Sequence, residues 1–224
     1  MFTRFTSGER VPLVDPGCRE PTAVGRARRD AFVTSSGARP GDYLVLTKAA
    51  GLEGTAILAS DFEAYFRRRL GADVVQRAQA FLEEISVVRD GRTAVRAGAR
   101  AMHDATEGGV LAAAVEMATA SGVGVELYAD RVPVRPETEA VCSLVDVDPL
   151  GLVSSGALLV ATPVPDRTVA ALEEAGVPAA VVGKFVERGN WKVLGCQREP
   201  LEPYPVDELW RALERLERET QVGR

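Results

Sequence analysis

The chain has 224 residues, 46% hydrophobic and 6% aromatic, with a formal net charge of -5. That length supports one core, or one domain with a small extension, and the acidic balance argues against a nucleic-acid partner. No apolar run is long enough to cross a bilayer, and Met1-Phe2-Thr3-Arg4 does not lead into a signal-peptide core, so the chain is read as cytoplasmic and without a membrane partner.

Cys18, Cys142 and Cys196 are far apart, and His103 is the only histidine. The spacing argues against a structural zinc site of four Cys and His ligands, the single histidine excludes any multi-histidine metal site, and the cysteines read as inert thiols of a reducing compartment.

Residues 1–33 read as an extended arm, punctuated by Pro12, Pro16 and Pro21 and by Gly8, Gly17 and Gly25. Val11–Val14 and Ala31–Thr34 could each form a short strand. Ser36-Gly37-Ala38-Arg39-Pro40-Gly41-Asp42 is a turn signature that feeds the apolar run Tyr43–Thr47, a buried strand. Lys48-Ala49-Ala50-Gly51-Leu52-Glu53-Gly54 opens a helix expected over Thr55–Leu70, closed by Arg67, Arg68 and Arg69. Asp73 is the expected N-cap of the next helix, whose apolar positions run from Val74 to Ile85.

A short helix follows from Asp90 to Ala97, and then the segment Ala101–Val110, whose helix is expected over Glu107–Ser121. Val125–Tyr128 alternates as a strand, and Pro136 starts a helix that runs to about Leu144. Asp146-Val147-Asp148-Pro149-Leu150-Gly151 is a loop. Gly156–Thr162 is a buried strand, and Pro165 starts a helix to Ala175. Ala179–Val186 and Trp191–Leu194 are expected to pair as a hairpin around Arg188-Gly189-Asn190, and Asp207–Arg218 forms a last helix. Strands and helices mixed in this way predict an α+β fold, layered α/β with a mixed β-sheet.

The informative segment is His103-Asp104-Ala105-Thr106-Glu107-Gly108-Gly109-Val110. Two glycines at a helix start cost roughly 1 kcal/mol each against alanine. One reading is local: Asp104 and Glu107 have capping-box spacing, Thr106 is an alternative cap, and His103 is half-buried at a strand end. The other is a ligand. Bare N–H groups at a helix N-terminus bind anions. Asp104 and Glu107 would repel a bare phosphate, so they fit if Mg2+ lies between. Thr106 can donate to a phosphate oxygen, and His103, with an ordinary pKa of about 6.5, could move a proton. Adjacent on a strand, His103 and Asp104 should face opposite ways. Lys48 with Gly51 and Gly54 repeats the design of strand end, glycines and helix start. Asp146, Asp148, Ser154, Ser155 and Gly156 form a third polar cluster.

His103–Val110 resembles the D-P-T-x-G-G-[LIV] motif of the C-terminal domain of the aminoimidazole ribonucleotide (AIR) synthase superfamily, in the branch of HypE-type hydrogenase-expression proteins. The likeness extends to Thr34–Asp42, Lys48–Ala59 and Asp148–Gly156, over roughly residues 20 to 195 in consistent order. It implies a PurM-like layered C-terminal domain over residues 34–200, followed by a C-terminal helix over 201–224. It also implies ATP and Mg2+ in a cleft between two domains, and phosphorylation of an amide or carbonyl oxygen.

By that resemblance Asp104, Thr106, Glu107, Gly108 and Gly109 are phosphate-side residues, with Lys48, Gly51 and Gly54 as a second set and Asp104 and Glu107 as metal candidates. The N-terminal dimerisation domain of the family is not represented in the sequence, so either the chain is a truncated form, or a separate N-terminal-domain partner supplies the rest, or the ATP site is incomplete; a homo-oligomer is expected. Ala105 replaces a common proline, Glu107 stands where HypE-type proteins often have arginine, and no cysteine ends the chain. A carbamoyl-carrying terminal thiol is thus unsupported. The competing expectation is a non-catalytic binding or assembly module. A freestanding kinase is disfavoured, because no P-loop or kinase motif set is present.

Overall fold

A computed structural model describes residues 32–222. The apolar run Tyr43–Thr47, buried from Leu44 onward, is strand β1, and Leu158–Thr162, with every residue buried, is β4. They pair antiparallel in the middle of one half of a seven-stranded sheet. The other strands are β2 (Ala101–Asp104), β3 (Gly124–Tyr128), β5 (Ala179–Val186), β6 (Asn190–Leu194) and β7 (Gln197–Pro200), in the order β2-β4-β1-β5-β3-β6-β7. All neighbours are antiparallel except β3 and β6, which are parallel. The sheet is mixed, and the α+β reading holds.

Side-chain alternation divides the core between the two faces. Leu44, Leu46, Leu159 and Ala161 point to one face, where α5 (Gly109–Ser121) packs through Val110, Ala113, Ala114 and Met117. Its alanines let the helix lie close against the strands. Val45, Leu158 and Val160 point to the other face, under α4 (Val88–Ala97) and α7 (Pro165–Glu174), with Ala94 and Leu172 buried there. A third cluster joins α1 (Leu52–Asp61), α2 (Glu63–Leu70), α3 (Ala72–Gln79), α6 (Pro136–Val145) and α8 (Glu208–Val222), through Leu58, Phe66, Val75, Val141, Ala212 and Leu216.

Several expectations change. The single helix over Thr55–Leu70 is two helices, because Phe62 adopts φ -117, ψ 37 between α1 and α2. Gly71, not Asp73, caps α3, and the apolar stretch beyond it tightens into a 3-10 turn at Ala80–Glu84. Ala31–Thr34 contains no strand among its described residues, although the Thr34 carbonyl accepts the N–H of Met102 on β2. Val11–Val14 lies outside the described residues.

The hairpin between β5 and β6 does not form, because β3 lies between them. The chain after β5 crosses the start of β3, where the Val125 N–H donates to the Gly189 carbonyl at 3.1 Å. The crossing works because β3 begins with Gly124: a Cβ there would collide with the Gly189 oxygen and the Arg188 backbone. The hairpin partner of β6 is β7, through a turn at Gly195-Cys196.

The crossing yields a prediction. Gly124→Ala forces backbone apart where no flexible side chain can yield, and such overpacking costs about 1–3 kcal/mol. Urea unfolding should show a lower midpoint. An unchanged midpoint would contradict this packing of β3 against the 188–189 turn.

Candidate functional site

The three polar segments singled out in the sequence meet at one end of the sheet. β1 and β2 both pair antiparallel to β4, so they run parallel to each other and end together: Asp104 lies opposite Leu158, and Leu46 opposite Leu159. Helix α1 starts just beyond β1 and α5 just beyond β2. The loop leading into β4, residues 148–157, lies between the two helix starts.

Both helices start from a glycine in the left-handed region, Gly51 (φ 71) for α1 and Gly108 (φ 74) for α5, with no side-chain cap. The loop supplies the acceptors instead. Ser154 Oγ accepts the Gly51 N–H at 2.7 Å and donates to the Leu152 carbonyl at 2.7 Å. The Val153 carbonyl accepts the Gly54 N–H, and the Leu150 carbonyl accepts the Leu111 N–H. In return, the Thr106 carbonyl accepts the Ser154 N–H at 3.3 Å.

Gly109 (φ 62) has no room for a Cβ against the Leu150 and Leu152 carbonyls, and a Cβ on Gly54 would lie 2.5 Å from Leu152 Cγ. The glycine pair therefore has a reason inside the fold. The loop approaches the backbone so closely that no side chain fits.

The capping reading fails in detail. Neither Asp104 nor Thr106 caps α5. The Gly108 N–H donates instead to Asp207 Oδ2 at 2.6 Å, from a residue 99 positions away. Asp207 Oδ1 also accepts the N–H groups of Val153 (3.2 Å) and Leu209 (2.7 Å). A buried carboxylate from the C-terminal segment thus lies where an anion was expected, at the positive end of α5. Glu208, also buried, accepts the Asp148 N–H at 3.0 Å and pairs with Arg211 at 2.6 Å. The residues 203–208 carried only one sequence signal for this role, a proline-bounded stretch ending in an aspartate at a helix start.

Thr106 and Glu107 are exposed, and Asp104 is 41% exposed. Among the described residues, the side chains of Thr106 and Glu107 have no partner, and Asp104 has only His103, at 3.8 Å. His103 faces α5: its Nε2 lies 2.6 Å from Glu116 Oε2 and its Nδ1 3.3 Å from Ser35 Oγ. Glu116 was not picked out in the sequence, since a glutamate on an alanine-rich helix carries no motif.

Lys48 (φ 57) is held inward. Its Nζ lies 3.0 Å from Asp90 Oδ2 and donates to the Glu84 and Ser86 carbonyls. Asp90 also accepts the Thr47 hydroxyl at 2.8 Å, so the network is closed and buried.

Among the described residues no group of three or more His, Cys, Asp or Glu side chains could hold a metal ion. Asp104 and Glu107 belong to no such group.

Beside the loop, α6 and α8 enclose a cavity of about 640 Å³ lined by Cys142, Asp146, Asp148, Tyr204, Glu208 and Arg211. Its carboxylates oppose a phosphate. Burial, the nearby Asp148 charge and the hydrogen bond to Asp148 push Tyr204 up to about 12. Burial first, then Asp148 and Glu208, push the Cys142 thiol up to about 12.

These features define a layered α+β domain whose glycine-started helices clasp a loop at one end of a mixed sheet. The family model described as "AIR synthase related protein, C-terminal domain" matches residues 39–195, and the chain belongs to that family.

It is 33% identical over 161 residues to the carbamoyl dehydratase HypE of Escherichia coli K12, covering 69% of this chain and 45% of that protein. It is 28% identical over 173 residues to the carbamoyl dehydratase HypE of Cupriavidus necator, covering 75% and 47% respectively. The chain thus spans about half the length of the curated relatives it matches. The crystal structure of E. coli HypE superposes with a TM-score of 0.67 at 26% identity, over 84% of this chain and 57% of that one. A structure of HypE in complex with ATP shares the fold, with a TM-score of 0.61 at 22% identity over 84% and 57% of the two chains.

Two outcomes follow from the site. Asp207→Ala leaves the Gly108, Val153 and Leu209 N–H groups without this acceptor and should cost about 1–3 kcal/mol by chemical denaturation; no change would mean the carboxylate does not hold the loop. At pH 8 Cys142 stays a protonated, enclosed thiol, so peptide mapping after brief alkylation should find label on exposed Cys196 and none at Cys142 until the protein is unfolded.

Proposed function

We propose that the chain is the C-terminal half of an ATP-dependent enzyme that activates an amide or carbonyl oxygen by phosphorylation, as a HypE-like maturation protein. A separate N-terminal domain completes its site. The observation that carries this reading is the convergence of Asp104, Thr106 and Glu107 as an exposed polar rim over the start of α5, in a chain of this family.

In this reading Thr106 donates to a phosphate oxygen, and Asp104 and Glu107 face the cation that accompanies ATP. Bound Mg2+ would supply charge neutralisation for the phosphates. The chain's own contribution is to orient. The glycine contacts fix the 106–109 backbone against the loop at 150–154, so the rim is presented on a rigid support. Transition-state stabilisation in phosphoryl transfer depends on such positioned donors and metal ligands. This half brings few of them, and the N-terminal domain supplies the rest.

One observation favours a second reading, a non-catalytic binding or assembly module that retains the fold. Asp207 fills the Gly108 N–H and Asp90 holds Lys48, so two groups expected to meet phosphate are satisfied internally.

Calorimetry with ATP and Mg2+ on the chain separates the two. The first reading predicts binding that weakens about tenfold in Thr106→Ala and in Asp104→Asn, a loss in the range of one charge-assisted hydrogen bond. Both side chains lie outside the packed core, so the fold should survive. Gly109 is unsuitable as a probe, because the 150–152 backbone fills the space a side chain would need. Absence of heat up to millimolar nucleotide supports the module, and binding indifferent to both substitutions overturns the assignment of the rim.

A further inference from the structure

A second polar concavity has none of Asp104, Thr106 or Glu107 in its lining. The first turns of α4, the 3-10 turn at Ala80–Glu84 and the loop after α7 enclose about 830 Å³, within the range of small-molecule sites. One wall is basic. Arg89, Arg92 and Arg96 all line it and all are exposed. Their spacing of three and four residues puts the three guanidinium groups along a single helix face. The opposite face of α4, with Asp90, Gly91, Ala94 and Ala97, is buried in the core.

The three arginines of this wall lack a counter-charge among the described residues of the chain. Its net charge is -5, yet among the described residues none of the three arginines has a carboxylate partner. The one contact of the set is a long bond from Arg89 Nη1 to the Ala175 carbonyl at 3.5 Å. The acids around the concavity are mostly committed elsewhere. Asp90 is buried and bound to Lys48 and Thr47, and Glu84 pairs with Arg135 at 2.7 Å. Glu83 alone stands at the rim as a carboxylate without a partner among the described residues.

Position adds to this. Arg89 lies in the first turn of α4, where a positive charge faces the positive end of the helix, and the acid of that turn, Asp90, is already neutralised. Three aligned, unpaired guanidinium groups in a concavity are a fork array matched to phosphate or carboxylate oxygens.

We propose that this concavity binds a small polyanion, carrying phosphate or carboxylate groups, along the Arg89–Arg92–Arg96 wall. The site is independent of the nucleotide reading. Lys48 forms the floor and acts as a fixed part of the scaffold, since its ammonium already has three partners. An anion spanning Arg92 and Arg96 supplies the counter-charge that the fold leaves out.

The test is calorimetry on the whole chain with inorganic tripolyphosphate and, separately, citrate. Saturable binding of either supports the proposal, and the stronger of the two identifies the phosphate or the carboxylate class. Arg92→Ala with Arg96→Ala should weaken it about tenfold or more. Arg68→Ala, a remote exposed arginine on α2, and Asp104→Asn should leave it unchanged. No binding of either probe at millimolar concentration overturns the proposal. So does binding that survives the double substitution, or that falls equally with Arg68→Ala. Loss with Asp104→Asn but not with the arginine variants would place the anion at the nucleotide rim, and this proposal would fail while that reading stood.

Discussion

The structure depends on one close approach. The loop at residues 148–156 passes between the starts of α1 and α5 so tightly that its carbonyls take the space of side chains at Gly109 and its Leu152 takes that at Gly54. Ser154 then ties the loop to both sides, to Gly51 through its hydroxyl and to Thr106 through its N–H. The local conformational cost of the glycines is offset by these backbone hydrogen bonds and by burial of Leu150, Leu152 and Val153. Because the ends of β1 and β2 enter the same clasp, the direction of both helices and the position of the 104–107 turn follow from it.

The C-terminal segment closes the clasp from outside. Gly151 lies so near Tyr204 and Glu208 that it too admits no side chain. Asp207 is bonded at once to α5, to the loop and to its own helix. A carboxylate with three N–H donors is a strong acceptor, and three backbone groups would be orphaned without it. The last helix is therefore a structural member of the domain, through Ala212 and Leu216 in the core and Asp207 at the loop. This also changes the meaning of the glycine pair, which carries a packing role whether or not a ligand lies above it.

Much of this was legible in the sequence where the signal was local. The runs Leu44–Thr47 and Leu158–Thr162 read as strands because continuous burial on both faces demands continuous apolar residues. The three polar segments were visible as motifs, and they do converge. What escaped was non-local. Nothing near Arg188-Gly189-Asn190 says that β3 will lie between β5 and β6. β7, as Gln197-Arg198-Glu199-Pro200, has no apolar alternation because it is an exposed edge. Asp207 reaches Gly108 across 99 residues, and Lys48 finds Asp90 only when α4 folds over the end of β1. Residue types showed where chemistry was possible, but the partners that occupy those groups are a property of the packed chain.

The central claim is that the functional surface is the exposed 104–107 rim on the clasp. Amide chemical shifts of the chain titrated with ATP and Mg2+ test it most directly. The account predicts perturbations concentrated at Asp104, Thr106 and Glu107 and the neighbouring starts of α1 and α5. Perturbations confined to the cavity between α6 and α8, or to α4, with the rim amides unmoved, would contradict it.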